Sequence, residues 1–110
     1  MTDKHIEKIK SNLETADHIP TEQKAELLDR LAKVKPALAE VAQTHQEGAQ
    51  TIAALVEAST QEATRKDKQP ELVGGALHRL KRSVEQFEAS HPELVASVTE
   101  YSAMLSALGI

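Results

Sequence analysis

The chain has 110 residues, 40% of them hydrophobic, yet its only aromatic side chains are Phe87 and Tyr101; this fits one domain with a core of Leu, Val, Ile and Ala. Lys and Arg number 13 against 17 Asp and Glu, a formal net charge of −4, which disfavours nonspecific attraction to nucleic-acid backbones and anionic membranes. The absence of cysteine excludes disulfides, thiolate catalysis and cysteine-based zinc sites; no run reaches membrane-spanning length and the opening residues do not resemble a signal peptide, so the cytoplasm is the expected location.

The first predicted element is a helix over residues 3–17, with Thr2 as N-cap and Ile6, Ile9, Leu13 and Ala16 on one face. His18-Ile19-Pro20 closes it. Thr21 is then placed to cap a second helix, and Glu22 meets the positive end of its dipole. From Leu27 the apolar residues recur as Leu27, Leu31, Val34, Leu38 and Val41, and the same register passes through His45, Gly48, Ile52 and Leu55. Steps of four and three make this a heptad pattern, the signature of a coiled-coil seam. Taken as one helix, residues 21–64 would extend roughly 65 Å at 1.5 Å per residue. Pro36 lacks a donor and clashes with the preceding turn, and Gly48 adds a weaker break, so a kink or break is expected between them. The unbroken register favours a bend over a reversal; a reversal, if present, belongs near His45 and Gly48.

Arg65 to Gln69 reads as a polar loop, with Pro70 opening the following helix where its missing N–H costs nothing. That helix is predicted over 71–89, with Val73, Leu77, Leu80, Val84 and Phe87 on its apolar face. Ser90-His91-Pro92-Glu93 matches a capping box in which Ser90 is the cap and Glu93 reaches back. A last helix over 91–108 carries Leu94, Val98, Tyr101, Leu105 and Leu108, and Gly109 is a natural stop. Steps of two are not sustained anywhere, so the fold class is all-α: a helical bundle with a long kinked or broken central helix and a C-terminal antiparallel helical hairpin.

The residues able to carry chemistry are few. Glu88 and His91 form a Glu-x-x-His pair of the kind used by di-metal carboxylate bundles, but no second copy exists and this one straddles a helix boundary. His45 falls on the apolar stripe, where a histidine more often sets register than binds a ligand. His78, Arg79, Lys81 and Arg82 form the densest basic patch, without the interleaved aromatics that stack on bases. Gly74-Gly75 lies inside a helix rather than in a phosphate-binding loop, and marks either a close helix approach or a weak point near a helix start. No nucleophile, base and orienting group occur in a recognisable order. Neither an enzyme nor a cofactor is expected, and no catalytic or metal-ligating residue is assigned.

The segment Val84-Glu85-Gln86-Phe87-Glu88-Ala89-Ser90-His91-Pro92-Glu93-Leu94 and the ending Leu105-Ser106-Ala107-Leu108-Gly109-Ile110 resemble a family of small bacterial proteins catalogued as domain of unknown function 4404. The resemblance is specific over Leu80 to Ile110 and looser for the helix beginning near Pro20. It implies that much of Gln43 to Gln69 is an insertion relative to shorter members. It brings no activity, because the family has none assigned.

The expectation for function is therefore a small cytoplasmic helical interaction or assembly protein acting through apolar helix stripes. A continuous central helix would leave Leu27, Leu31, Val34 and Leu38 partly uncovered, so these four are the candidate interface of a homodimer. Another helical protein is the other candidate partner; nucleic acid and membrane are not expected. Many residues would serve as well as His91 at a helix start, which makes it a candidate partner contact. The alternative is a ligand- or metal-binding helical bundle using Glu88 and His91, with His45 or His78 as further candidates.

Overall fold

A computed structural model describes residues 2–109, with the side chains of residues 3–108. It contains five helices and, among the described residues, no strand: α1 (Thr2–Thr15), α2 (Thr21–Ala42), α3 (Gln46–Ala63), α4 (Pro70–Glu85) and α5 (Pro92–Gly109). The expected cap at Thr2 and the ending of α5 on Gly109 and Ile110 lie outside the described side chains. No helix is long and apolar enough to cross a membrane.

The central stretch is broken within the expected interval between Pro36 and Gly48, and it reverses there rather than bending. Helix α2 ends at Ala42 and α3 begins at Gln46, with Gln43, Thr44 and His45 between them. The molecule measures 38 × 24 × 19 Å, too short for a continuous rod of roughly 65 Å. The last turn of α2 tightens as Gln43 N–H donates to the Glu40 carbonyl and both Thr44 and His45 N–H groups converge on that of Val41. His45 then takes φ −136°, ψ 65°, which no helix can propagate. The energetic reason is burial. A straight helix would leave half of each apolar stripe in water, whereas packing α2 against α3 removes Leu27, Val34, Val41, Ile52 and Val56 from solvent entirely. Pro36, by contrast, sits exposed within α2, and the helix runs through it to Ala42.

Helix α3 touches all four other helices, while α1 lies across α2 and α3, α5 runs along α2 and α4, and α4 runs along α3. The central position of α3 explains its composition. Its buried residues are Ala49, Ile52, Ala53, Val56, Ser59, Thr60 and Ala63, a band too wide for a single heptad seam and rich in side chains small enough to let neighbours approach. The segment that the family resemblance treats as an insertion thus supplies the helix on which the others pack.

Three helix boundaries differ from the sequence reading. Pro20, not Thr21, occupies the N-cap of α2, and its carbonyl accepts from Lys24 N–H. Helix α4 stops at Glu85 rather than 89, so that Phe87 lies in the following turn while remaining 4% exposed. The cap position of α5 falls to His91, whose carbonyl accepts from Leu94 and Val95 N–H; Ser90 is exposed one residue outside the helix. Pro70 and Pro92 both open their helices as expected.

Candidate functional site

The four residues expected to form a dimer interface are interior to the chain itself. Leu27 and Val34 are 0%, Leu38 1% and Leu31 2% exposed, because the reversal at Gln43–His45 brings α3 against α2 while α1 and α5 cover its flanks. These four residues therefore offer no surface to a second copy.

The histidines fall into three settings. Two reach α3 from the N-terminal region: on α1, His5 Nδ1 lies 2.6 Å from Glu57 Oε1, and in the turn after α1, His18 Nε2 lies 2.5 Å from the carbonyl of Thr64 at the end of α3, which as an acceptor requires the proton on Nε2. Two more meet where both interhelical turns end. The rings of His45 and His91 are 6.2 Å apart at 82°, and each packs edge-on against Phe87, at 5.4 and 5.9 Å. His91 is half-buried in this cluster and borders a shallow cleft with Glu40 and Glu93. Glu88 is exposed, and no group of three or more His, Cys, Asp or Glu suited to a metal ion occurs among the described residues. The Glu-x-x-His reading finds no second half.

Gly48 is explained by the same cluster. A Cβ at this position would lie 3.0 Å from Phe87 Cζ, so the absent side chain lets the first turn of α3 rest on the ring. Sequence reading took Gly48 for a weak point; it is a close approach. Gly74 is the reverse case, since a Cβ there would meet nothing within 4 Å.

His78, the fifth histidine, stands on the edge of an open groove. A groove of about 470 Å³ runs between α4 and α5. Helix α4 contributes Gly74, Leu77, His78, Lys81 and Val84, and α5 contributes Val98, Thr99, Ser102, Ala103 and Ser106. The spacing is helical on both sides: Leu77, Val84 and Val98 belong to the stripes that also face the core, and His78, Lys81, Thr99, Ser102 and Ser106 stand beside them. The floor is apolar, and the walls are low because glycine, alanine, serine and threonine project little. Sequence reading assigned His78 and Lys81 to a solvated basic face. It had no way to see that small residues of α5, some 20 positions later, would stand opposite them.

One interior polar pair completes the inventory. Thr60 Oγ1 donates to the Val56 carbonyl at 2.8 Å, which uses its single proton, so the Tyr101 hydroxyl donates to Thr60 Oγ1 at 2.7 Å. Burial pushes the Tyr101 phenol well above its ordinary value of 10.0, and the Thr60 hydroxyl offsets only part of this. A tyrosine held neutral and satisfied in a closed core is a packing element, not an acid-base catalyst.

Compared with known proteins, the chain matches no family model, no curated protein and no solved structure.

Proposed function

We propose that this protein is a helical interaction module whose docking surface is the α4/α5 groove, taking a helix from a partner. The observation that carries this reading is how the molecule fills its other groove. Helix α1 lies across α2 and α3 and buries Ile6, Ile9 and Leu13 to 4%, 0% and 0% exposure. The α4/α5 pair presents a groove lined by these two helices alone, which no other helix of the described chain covers. Two turns of α4, from Gly74 to Lys81, line it over roughly 10 Å, matching about two turns of a docked helix, the mode of helix-in-groove complexes. The expectation of an interaction protein acting through apolar stripes is kept, but with a different stripe.

A helix-stapled amphipathic peptide of leucine, alanine and glutamine tests this reading. Titrated into the isotope-labelled protein, it should shift the backbone amide signals of Gly74, Thr99, Ser102 and Ser106 while leaving those of α1 in place. Saturating peptide with unmoved α4 and α5 signals would overturn the reading.

A further inference from the structure

We infer that the partner helix carries acidic side chains along the flank that faces α4; this rests on the groove being a helix-docking surface. The groove is electrostatically lopsided. On the α4 side stand His78 and Lys81, one turn apart and both exposed. On the α5 side stand Thr99, Ser102 and Ser106, none of them charged. The ion pairs among the described residues join His5 to Glu57 and Arg65 to Glu62, so the Lys81 ammonium at the groove edge has no carboxylate of its own. A carboxylate from an incoming helix would meet that charge beside an apolar floor, where screening is weaker than in open water.

The opposite side of α5 has the reverse charge. The groove between α2 and α5 is bordered by Glu40, Glu93 and Glu100 against Lys33, so an acidic helix is attracted to one side of α5 and repelled from the other. That contrast supplies selectivity as well as attraction, because a wrong site is penalised by like charge.

A second copy of the chain fits the groove poorly. Leu72 is the exposed large hydrophobic residue of the described chain, at 45%, and it lies outside the groove lining. No helix of a folded copy therefore presents an apolar stripe for the floor, and two concave grooves placed face to face would leave a void. The occupant is a helix of another protein, with small or medium apolar residues at three- and four-residue spacing and Asp or Glu beside them.

Three stapled peptides with one apolar stripe and glutamine, glutamate or lysine along one flank separate the parts of this proposal. Chemical-shift titration should give the tightest binding for the glutamate peptide, by about two- to fivefold per charge at low salt, and the preference should fade in about 0.5 M salt. Replacing His78 and Lys81 by Glu (H78E/K81E) should reverse the preference toward the lysine peptide. These positions are exposed, and the circular dichroism melt of the variant checks that it folds. Equal binding of all three peptides in the groove would overturn the acidic assignment and leave the docking reading standing. Binding by none would overturn the docking reading itself. Sedimentation equilibrium of the free protein adds one more discriminator: a dimer dissociated by Leu77→Glu but not by Glu93→Lys would show that a second copy occupies the groove and would overturn the proposal.

Discussion

The two helix pairs of this bundle treat their outer grooves differently. Between α2 and α3 the groove receives α1, whose Ile6, Ile9 and Leu13 join the core; His5 on the helix and His18 in the turn after it bond to α3 and its C-cap. Between α4 and α5 the groove stays open, floored by Leu77, Val84 and Val98 and walled by small residues. The first groove is closed by the large aliphatic side chains of α1, whereas small residues of α5 line one side of the second and leave it open. The lesson is that the uncovered surface of a small bundle need not be a conspicuous apolar patch; here it is a concavity, and its side chains look unremarkable one at a time.

The largest predicted effect is the contrast between one residue in each groove. Ile9 is 0% exposed and sits at the centre of the α1 stripe, so Ile9→Ala should cost about 2–5 kcal/mol through lost burial and a cavity. Leu77 is only half-buried, and Leu77→Ala should cost no more than about 1.5 kcal/mol, roughly half the value of a fully buried side chain. Urea denaturation of both variants checks the pair. Equal losses would mean that the α4/α5 groove is as much a part of the folding core as its counterpart.

Two glycines sharpen the same contrast at smaller magnitude. Gly48→Val places a branched side chain where even a Cβ comes to 3.0 Å from Phe87, and should destabilise by about 1–3 kcal/mol through overpacking. Gly74→Ala projects a methyl into open space, gains helix propensity, and should stabilise by about 0.5–1 kcal/mol. Phe87→Leu combined with Gly48→Val should recover part of the first loss, because the two positions share one contact. Thermal melts that move in the same direction for both glycine variants would contradict the placement of the Phe87 ring.

How much of this was legible in the sequence depends on the range of the interaction. Periodicity marked four apolar stripes, the central one running unbroken through what are two helices, and Pro20, Pro70 and Pro92 marked three of the boundaries, because those signals act within one or two turns. The place of the reversal at Gln43–His45 was marked by His45 and Gly48, but the reversal itself was disfavoured because the heptad register continues through it, and register is silent about direction. What decides the matter is that burying both faces beats burying one, a property of the whole chain. Gly48 was misread for the same reason, since its partner Phe87 is far along the sequence. The dimer interface failed with the continuous helix from which it was argued. The α4/α5 groove needed two helices to exist at all, and only its basic edge, His78 and Lys81, stood out beforehand.

An alkaline titration probes the core between the grooves. Tyr101 is the single tyrosine of the chain, so its ionisation can be followed by ultraviolet absorption without overlap. In the unfolded chain it loses its proton near pH 10, whereas burial holds the folded phenol neutral to higher pH. Above pH 10 the unfolded state thus binds fewer protons, and stability must fall as pH rises. The expected result is a phenol that stays protonated past pH 10 until the protein unfolds. Tyr101→Phe should remove that component of the alkaline slope and cost about 1 kcal/mol at neutral pH through loss of the bond to Thr60. A phenol that titrates reversibly at pH 10 in the folded protein would show that the core is open to water.

The smallest predicted effect separates two readings of one turn. If Ser90 capped α5, Ser90→Ala would cost about 1 kcal/mol, the usual loss for a serine N-cap. Instead the first α5 bonds run to the His91 carbonyl, Pro92 fixes the backbone of the first helical position, and Ser90 is exposed outside the helix. The corresponding turn between α2 and α3 is built alike, with His45 at the cap position and no side-chain cap bond. Both histidines are held through packing on Phe87 rather than through capping, which is why the two turns lie against each other at one end of the bundle. Ser90→Ala should therefore change stability by less than about 0.5 kcal/mol, as for an ordinary surface substitution, whereas His91→Ala should cost more because it removes a ring from the cluster. Matched denaturation curves of the two variants decide it: a serine loss that equals or exceeds the histidine loss would move the helix start back to Ser90 and remove the shared design of the two turns.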